Sequence, residues 1–178
     1  FHFLVWWTHA VLVFGFIAAI PYTRLFHVIA GPLNLFLARP SLGVLQPVTL
    51  EQAELEERIG VNDIRQLTTQ QLLSLDACME CGRCEDVCPA FATHKPLSPK
   101  RIVQDLKGVM EQLATAAPDA PLNPHEVISA ETLWSCTACS ACVNICPVRI
   151  DQLTFIIDLR RNLASEGGLS GTAATALR

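Results

Sequence analysis

Apolar and polar positions divide the chain into two unequal parts. No Asp, Glu, Lys or Arg occurs between Phe1 and Thr23, and no polar face recurs at helical spacing within Phe1–Ile20. Crossing the hydrocarbon core takes about 20 apolar residues, so a transmembrane helix is expected here rather than the core helix of a soluble protein. Trp6 and Trp7 are placed either to anchor it at an interface or to pack against further helices. Pro21 either kinks this helix or opens a second segment. Leu25–Ala38 is again uncharged, with Gly31-Pro32 and Pro40 expected to break it.

Polarity then rises. Ser41–Val48 reads as a linker, and Thr49 with Gln52 makes a capping-box start for a polar helix ending near Gly60. Glu51, Glu54, Glu56, Glu57 and Arg58 form the solvated face of that helix. Thr68 with Gln71 starts another helix, carrying Leu72, Leu73 and Leu75. Ser98-Pro99 is an N-cap with proline at the first position, followed at helical spacing by Ile102, Val103, Leu106, Val109, Met110 and Leu113. Ala117–Pro124 is a loop, Ser129–Trp134 a short helix, and Ile150–Ala164 a helix stopped by Gly167 and Gly168. No strand pair is evident. The expected fold is all-α: a membrane segment over 1–40, a connector over 41–66, a helical domain over 67–166 and the start of a linker over 167–178.

Composition agrees with a membrane-linked protein. Of 178 residues 51% are hydrophobic and only 17% charged, high for a purely soluble chain. A net charge of -4 supplies no basic face for nucleic acid. The chain starts inside an apolar run without a methionine or a basic leader, unlike a signal peptide, and stops in a small-residue stretch. A piece of a longer protein is expected.

All eight cysteines fall in two copies of C-x2-C-x2-C-x3-C-P, Cys78–Pro89 and Cys136–Pro147. Three thiolates spaced by two residues wrap one face of an iron-sulfur cube. In two-cluster ferredoxins the fourth cysteine of each run ligates the other run's cluster. That pattern assigns one [4Fe-4S] cluster to Cys78, Cys81, Cys84 and Cys146, and the other to Cys136, Cys139, Cys142 and Cys88. Structural zinc pairs two knuckles or adds histidines and has no use for a third cysteine plus Cys-Pro. Disulfides across such short loops would be strained and belong to oxidising compartments. Charged residues occur between the cysteines of the first run only, so the first loop is expected nearer solvent and a soluble donor, and the second more buried.

His9 and His27 lie 18 positions apart, a whole number of helical turns and about 27 Å of rise. On a helix continuous through Pro21 both imidazoles would share one face, one near each side of a bilayer. Two stacked haems would be ligated in this way. The alternative is a bond to a neighbouring helix for one and an interfacial position for the other. His2, seven positions before His9, lies on much the same face.

The stretch from Trp6-Trp7-Thr8-His9 through Tyr22-Thr23-Arg24-Leu25-Phe26-His27 to Pro32, followed by Leu75-Asp76-Ala77-Cys78-Met79-Glu80-Cys81-Gly82-Arg83-Cys84, resembles the membrane-bound iron-sulfur oxidoreductases related to heterodisulfide reductase. The likeness is greatest to the membrane-type electron transfer flavoprotein:quinone oxidoreductases. It implies the end of a haem-b helical bundle like the nitrate reductase gamma subunit, followed by an α-helical ferredoxin domain, with further domains after Arg178 and partner histidines on helices before Phe1. His9 and His27 then become ligands of one or two haem b. The implied function is electron transfer between a soluble flavoprotein or dehydrogenase and membrane quinone, menaquinone by likeness, in a respiratory chain. Arg24 and Arg39 place the cluster domain on the cytoplasmic side of a prokaryotic inner membrane. Two other readings are the electron-supplying part of a heterodisulfide-type disulfide reductase and a haem-free, membrane-tethered ferredoxin.

Overall fold

The computed structural model describes residues 1–38, 43–45, 47–48, 59–117, 120–168 and 175. Among these every regular element is helical. The expected polar helix from Thr49, with its acidic face, and Arg39 lie outside the described residues.

The first helix, α1 (His2–Ala19), has no buried residue. Residues 2–22 are long and apolar enough to cross a membrane by length and composition. The helix is not continuous through Pro21. Ile20–Tyr22 forms a 3-10 turn, and Thr23 is extended at φ -124°, ψ 170°. The Thr23 hydroxyl donates to Ile20 O at 3.2 Å and accepts from Leu25 N at 3.4 Å, ending one segment and capping the next. A second helix, α2 (His27–Leu37), begins after a further 3-10 turn. His9 and His27 therefore stand on different helices, and helical periodicity no longer puts them on one face. Gly31-Pro32 does not break the chain as expected, because Pro32 is inside α2. Burial of Ala30, Gly31 and Asn34 against the following domain outweighs the hydrogen bond that proline removes.

Capping places the next helices. Thr68 and Gln71 form a reciprocal box ahead of α3 (Thr69–Asp76), with bonds of 3.2 and 2.9 Å. Two short helices, α4 (Arg83–Asp86) and α5 (Pro89–Ala92), flank Cys88. Ser98 caps α6 (Pro99–Glu111), accepting from Arg101 N at 3.0 Å, and the helix buries Ile102, Val103, Leu106 and Val109 on one face. Ser129 caps α7 (Ala130–Trp134), and α8 (Ala141–Ile145) lies inside the second cysteine run. The last helix, α9 (Gln152–Ser165), is capped by Asp151. It ends where Gly167 takes a φ of +76° and Gly168 N–H donates to Leu163 O at 2.7 Å, as helix C-termini ending in glycine do.

The core gathers Ile64, Leu75, Leu106, Leu133, Phe155 and Ile156, each almost fully buried. A second capping box, Asp63 with Gln66, is not among those expected from the sequence. Asp63 Oδ2 also accepts from Leu122 N at 3.1 Å, and Ile64 N–H donates to Leu122 O at 3.0 Å, tying the connector to the loop before α7.

Candidate functional site

The two cysteine runs follow the same backbone path. Glu80 and Ala138, each the residue before a second cysteine, both have φ +54°, and Gly82 and Ser140, each the residue after it, have φ +80° and +61°. For the three non-glycine residues this conformation costs roughly 1–2 kcal/mol each, held in place by the surrounding structure. Such turns point backbone N–H groups into a concavity that favours anions. Ala138 N–H donates to Cys136 Sγ and Ile150 N–H to Cys146 Sγ, each at 3.4 Å.

The short helices α4 and α8 then carry each fourth cysteine away from its own run. Cys78, Cys81, Cys84 and Cys146 line one cavity, and Cys88, Cys136, Cys139 and Cys142 line another. Each cavity takes three sulfurs from one run and one from the other. None of the eight is in a disulfide. Among the described residues no three His, Cys, Asp or Glu side chains gather as a site for a single metal ion, whereas a cubane is held by sulfurs spread around its corners.

Burial governs the thiols. It pushes Cys84 up to about 12, helped by Cys78 and Cys146, and Cys142 up to about 12, helped by Cys136. Cys78 is raised chiefly by the same cause. Four thiolates around one cavity are thus unfavourable alone and need cationic iron among them. The donor set therefore fits iron-sulfur clusters.

The cavities differ in their walls. Lys100, Arg83 and Gln152 line the first, with Lys100 Nζ 2.7 Å from Glu85. Leu97, Leu153 and Ile156 line the second. The expected difference in exposure is not found, since Cys81 and Cys139 are both exposed. The surfaces are alike because both loops make the same turns at the domain edge. Beside the second cavity, Arg160 of α9 donates from Nε and Nη2 to Leu133 O at 2.9 and 2.5 Å and from Nη2 to Cys136 O at 2.5 Å. Its guanidinium carbon is 5.0 Å from the centre of the Trp134 ring. This arginine closes the carbonyl end of α7 and fixes the entry to Cys136. No local sequence pattern points to it.

His9 is exposed on α1, whereas His27 is half-buried at the start of α2. His27 lines a groove of about 900 Å³ together with Tyr22, Cys78, Glu80 and Lys107. No residue of α1 lines that groove. His94 and His125 line neither cysteine cavity.

A family model described as a 4Fe-4S dicluster domain matches residues 74–150. An EtfAB:quinone oxidoreductase of Syntrophomonas wolfei is 34% identical, over 98% of this chain and 28% of its own length. A probable membrane-anchored ferredoxin of Chromohalobacter salexigens is 37% identical, over 93% of this chain and 29% of its own. A protein of Archaeoglobus profundus named for its likeness to a heterodisulfide reductase subunit is 30% identical, over 72% of this chain and 59% of its own. The chain thus spans less than a third of the length of the first two. No solved structure matches it.

Proposed function

The chain belongs to the iron-sulfur oxidoreductases related to heterodisulfide reductase, and from that premise we propose that it carries electrons between a soluble donor and the membrane quinone pool. The observation that carries this reading is the pair of thiol quartets around two neighbouring cavities, in a domain reached from an apolar helix long enough to cross a membrane. Cys78, Cys81, Cys84 and Cys146 hold one [4Fe-4S] cluster, and Cys136, Cys139, Cys142 and Cys88 hold the other. Bound clusters supply reversible one-electron storage. The chain's own contribution is thiolate ligation, N–H donors to sulfur and the charges around each cavity, which together set potential.

The donor is a soluble electron-transfer flavoprotein or dehydrogenase, and the acceptor a membrane quinone, menaquinone by family likeness. Cluster ligation needs cysteines kept out of disulfides, which favours the reducing, cytoplasmic face of a prokaryotic membrane, and Arg24 and Arg39 favour the same side. His9 and His27 are assigned to haem b. Each assignment stands on a polar imidazole in an otherwise apolar stretch, since the break at Pro21–Thr23 removes the shared-face argument.

The test is a reduced-minus-oxidised visible spectrum of the full-length protein in detergent, with iron and acid-labile sulfide assayed on the same sample. A b-type α-band with at least about eight cluster irons is expected. The same iron without the band would remove the roles of His9 and His27 and leave a membrane-tethered ferredoxin. A second reading, electron supply to a disulfide reductase, is favoured by the likeness to the Archaeoglobus protein. Disulfide reduction by the intact protein would select it.

Arg160 supplies a cluster-specific prediction. Its positive charge beside Cys136 stabilises the more negative, reduced form of the nearby cluster. Arg160→Met is expected to lower the reduction potential of the second-quartet cluster and leave the first unchanged, as read by potentiometric EPR titration. Equal shifts in both potentials would refute this.

A further inference from the structure

The first quartet meets the membrane-derived segment at two places. At one, Asn34 of α2, only 1% exposed, donates from Nδ2 to Val148 O at 2.7 Å. Val148 lines the first cysteine cavity and follows Cys146-Pro147 directly. One turn earlier on α2, a Cβ at Gly31 would stand 3.3 Å from Val148 Cγ1, so a small residue there allows the helix its close approach. Elsewhere, the groove of about 900 Å³ is lined by Pro21, Tyr22 and His27 together with Cys78, Met79 and Glu80. Cys78, which bears the first thiol of this quartet, and Val148, two residues after the last at Cys146, thus both adjoin the segment leaving α1. Residues 1–38 line neither cavity itself, but the residues they approach here, Cys78, Met79, Glu80 and Val148, line the first cavity and not the second, which is closed by Leu97, Leu153 and Ile156.

Electron tunnelling falls off steeply with distance, so the cluster adjoining the membrane segment exchanges electrons with it. We propose that the quartet Cys78, Cys81, Cys84 and Cys146 holds the membrane-facing cluster, with Asn34 positioning its Val148 arm, and that the second quartet holds the cluster facing the soluble donor. This rests on the two-cluster, quinone-linked reading above. Each cluster yields one electron per oxidation. Two such oxidations, with two protons from water, convert one quinone to quinol, the soluble flavoprotein or dehydrogenase being the reductant.

The experiment uses the full-length protein in phosphatidylcholine/phosphatidylglycerol vesicles containing menaquinone-4. Two variants each lose one cluster, Cys139→Ala the second and Cys81→Ala the first. After dithionite reduction, the surviving cluster's EPR signal is followed as the quinone reoxidises it. The Cys139→Ala protein is expected to reoxidise at least about a hundredfold faster than the Cys81→Ala protein, and adding Asn34→Leu to the former to slow it by about tenfold. The reverse order would overturn the proposal. If neither surviving cluster is reoxidised although its iron is retained, the quinone reading fails and takes this order with it.

Should a single-cluster variant not assemble, a nitroxide on Tyr22→Cys decides with both clusters present. Its relaxation is expected to be enhanced by the cluster whose potential moves with Gln152→Leu, a residue lining the first cavity. Enhancement instead by the cluster whose potential moves with Arg160→Met would overturn the proposal.

Discussion

Cys146→Ala is expected to remove about four irons per chain from the cluster of the first cysteine run, although Cys146 belongs to the second. The reason is the crossing of the chain. Cys146 lines the cavity of Cys78, Cys81 and Cys84, while Cys88, from the first run, lines that of Cys136, Cys139 and Cys142. Cys88→Ala should therefore lose a similar amount of iron but from the other cluster. The two variants are told apart by the EPR signal that survives. In Cys146→Ala it is the signal whose potential responds to Arg160→Met. Were each run to ligate its own cluster, the surviving signals would be exchanged. On the electron path proposed above, delivery to quinone should fall at least about a hundredfold in Cys146→Ala, because the lost cluster is the one assigned to the side of the apolar helix. The crossing also joins the two loops, so either variant should lower the temperature at which the remaining cluster absorbance is lost.

Gly60→Ala is expected to destabilise the domain by about 2–5 kcal/mol, combining the cost of a left-handed L-residue with overpacking. Gly60 has φ +81°, and a Cβ there would collide with Asp158 O and Asn162 N of α9 and lie 2.9 Å from Arg161 Cβ. Two of these three neighbours are helix backbone and have nowhere to move. The next residue, Val61, donates its N–H to Asp158 O at 3.1 Å, so the substitution also pulls apart the point where the connector docks on α9. The measurement is the thermal midpoint of cluster-absorbance loss, with Gly108→Ala as control. Gly108 is inside α6, with nothing within 4 Å of where a Cβ would stand, and alanine there should stabilise by up to about 1 kcal/mol. A Gly60→Ala midpoint equal to that of the unsubstituted protein would refute the argument.

The sign of these two glycine substitutions differs although both are isolated glycines, each followed by a valine. Gly60 is pressed against a helix far away in the chain, whereas Gly108 faces open space. The same division runs through the whole molecule. Helix starts at Thr68, Ser98 and Ser129 were legible because a cap bonds to a backbone N–H three residues on. Gly31-Pro32 misled because the local penalty of proline was visible and the docking of α2 was not. Pro21 left two outcomes open, and the capping bonds of Thr23 decided for a break.

By itself the sequence determined the cysteine chemistry, the all-helical class and the presence of an apolar stretch long enough for a membrane. Each of these depends on spacing over a few residues or on the composition of one window. Only the tertiary structure decided which cavity adjoins the segment from the apolar helix and which side chains brace the two. Those facts rest on contacts such as Asn34 to Val148, 114 positions apart, and Arg160 to Cys136, 24 apart. A local pattern cannot encode such pairs legibly, because the free energy that selects them comes from packing the assembled domain rather than from any one segment's own preference.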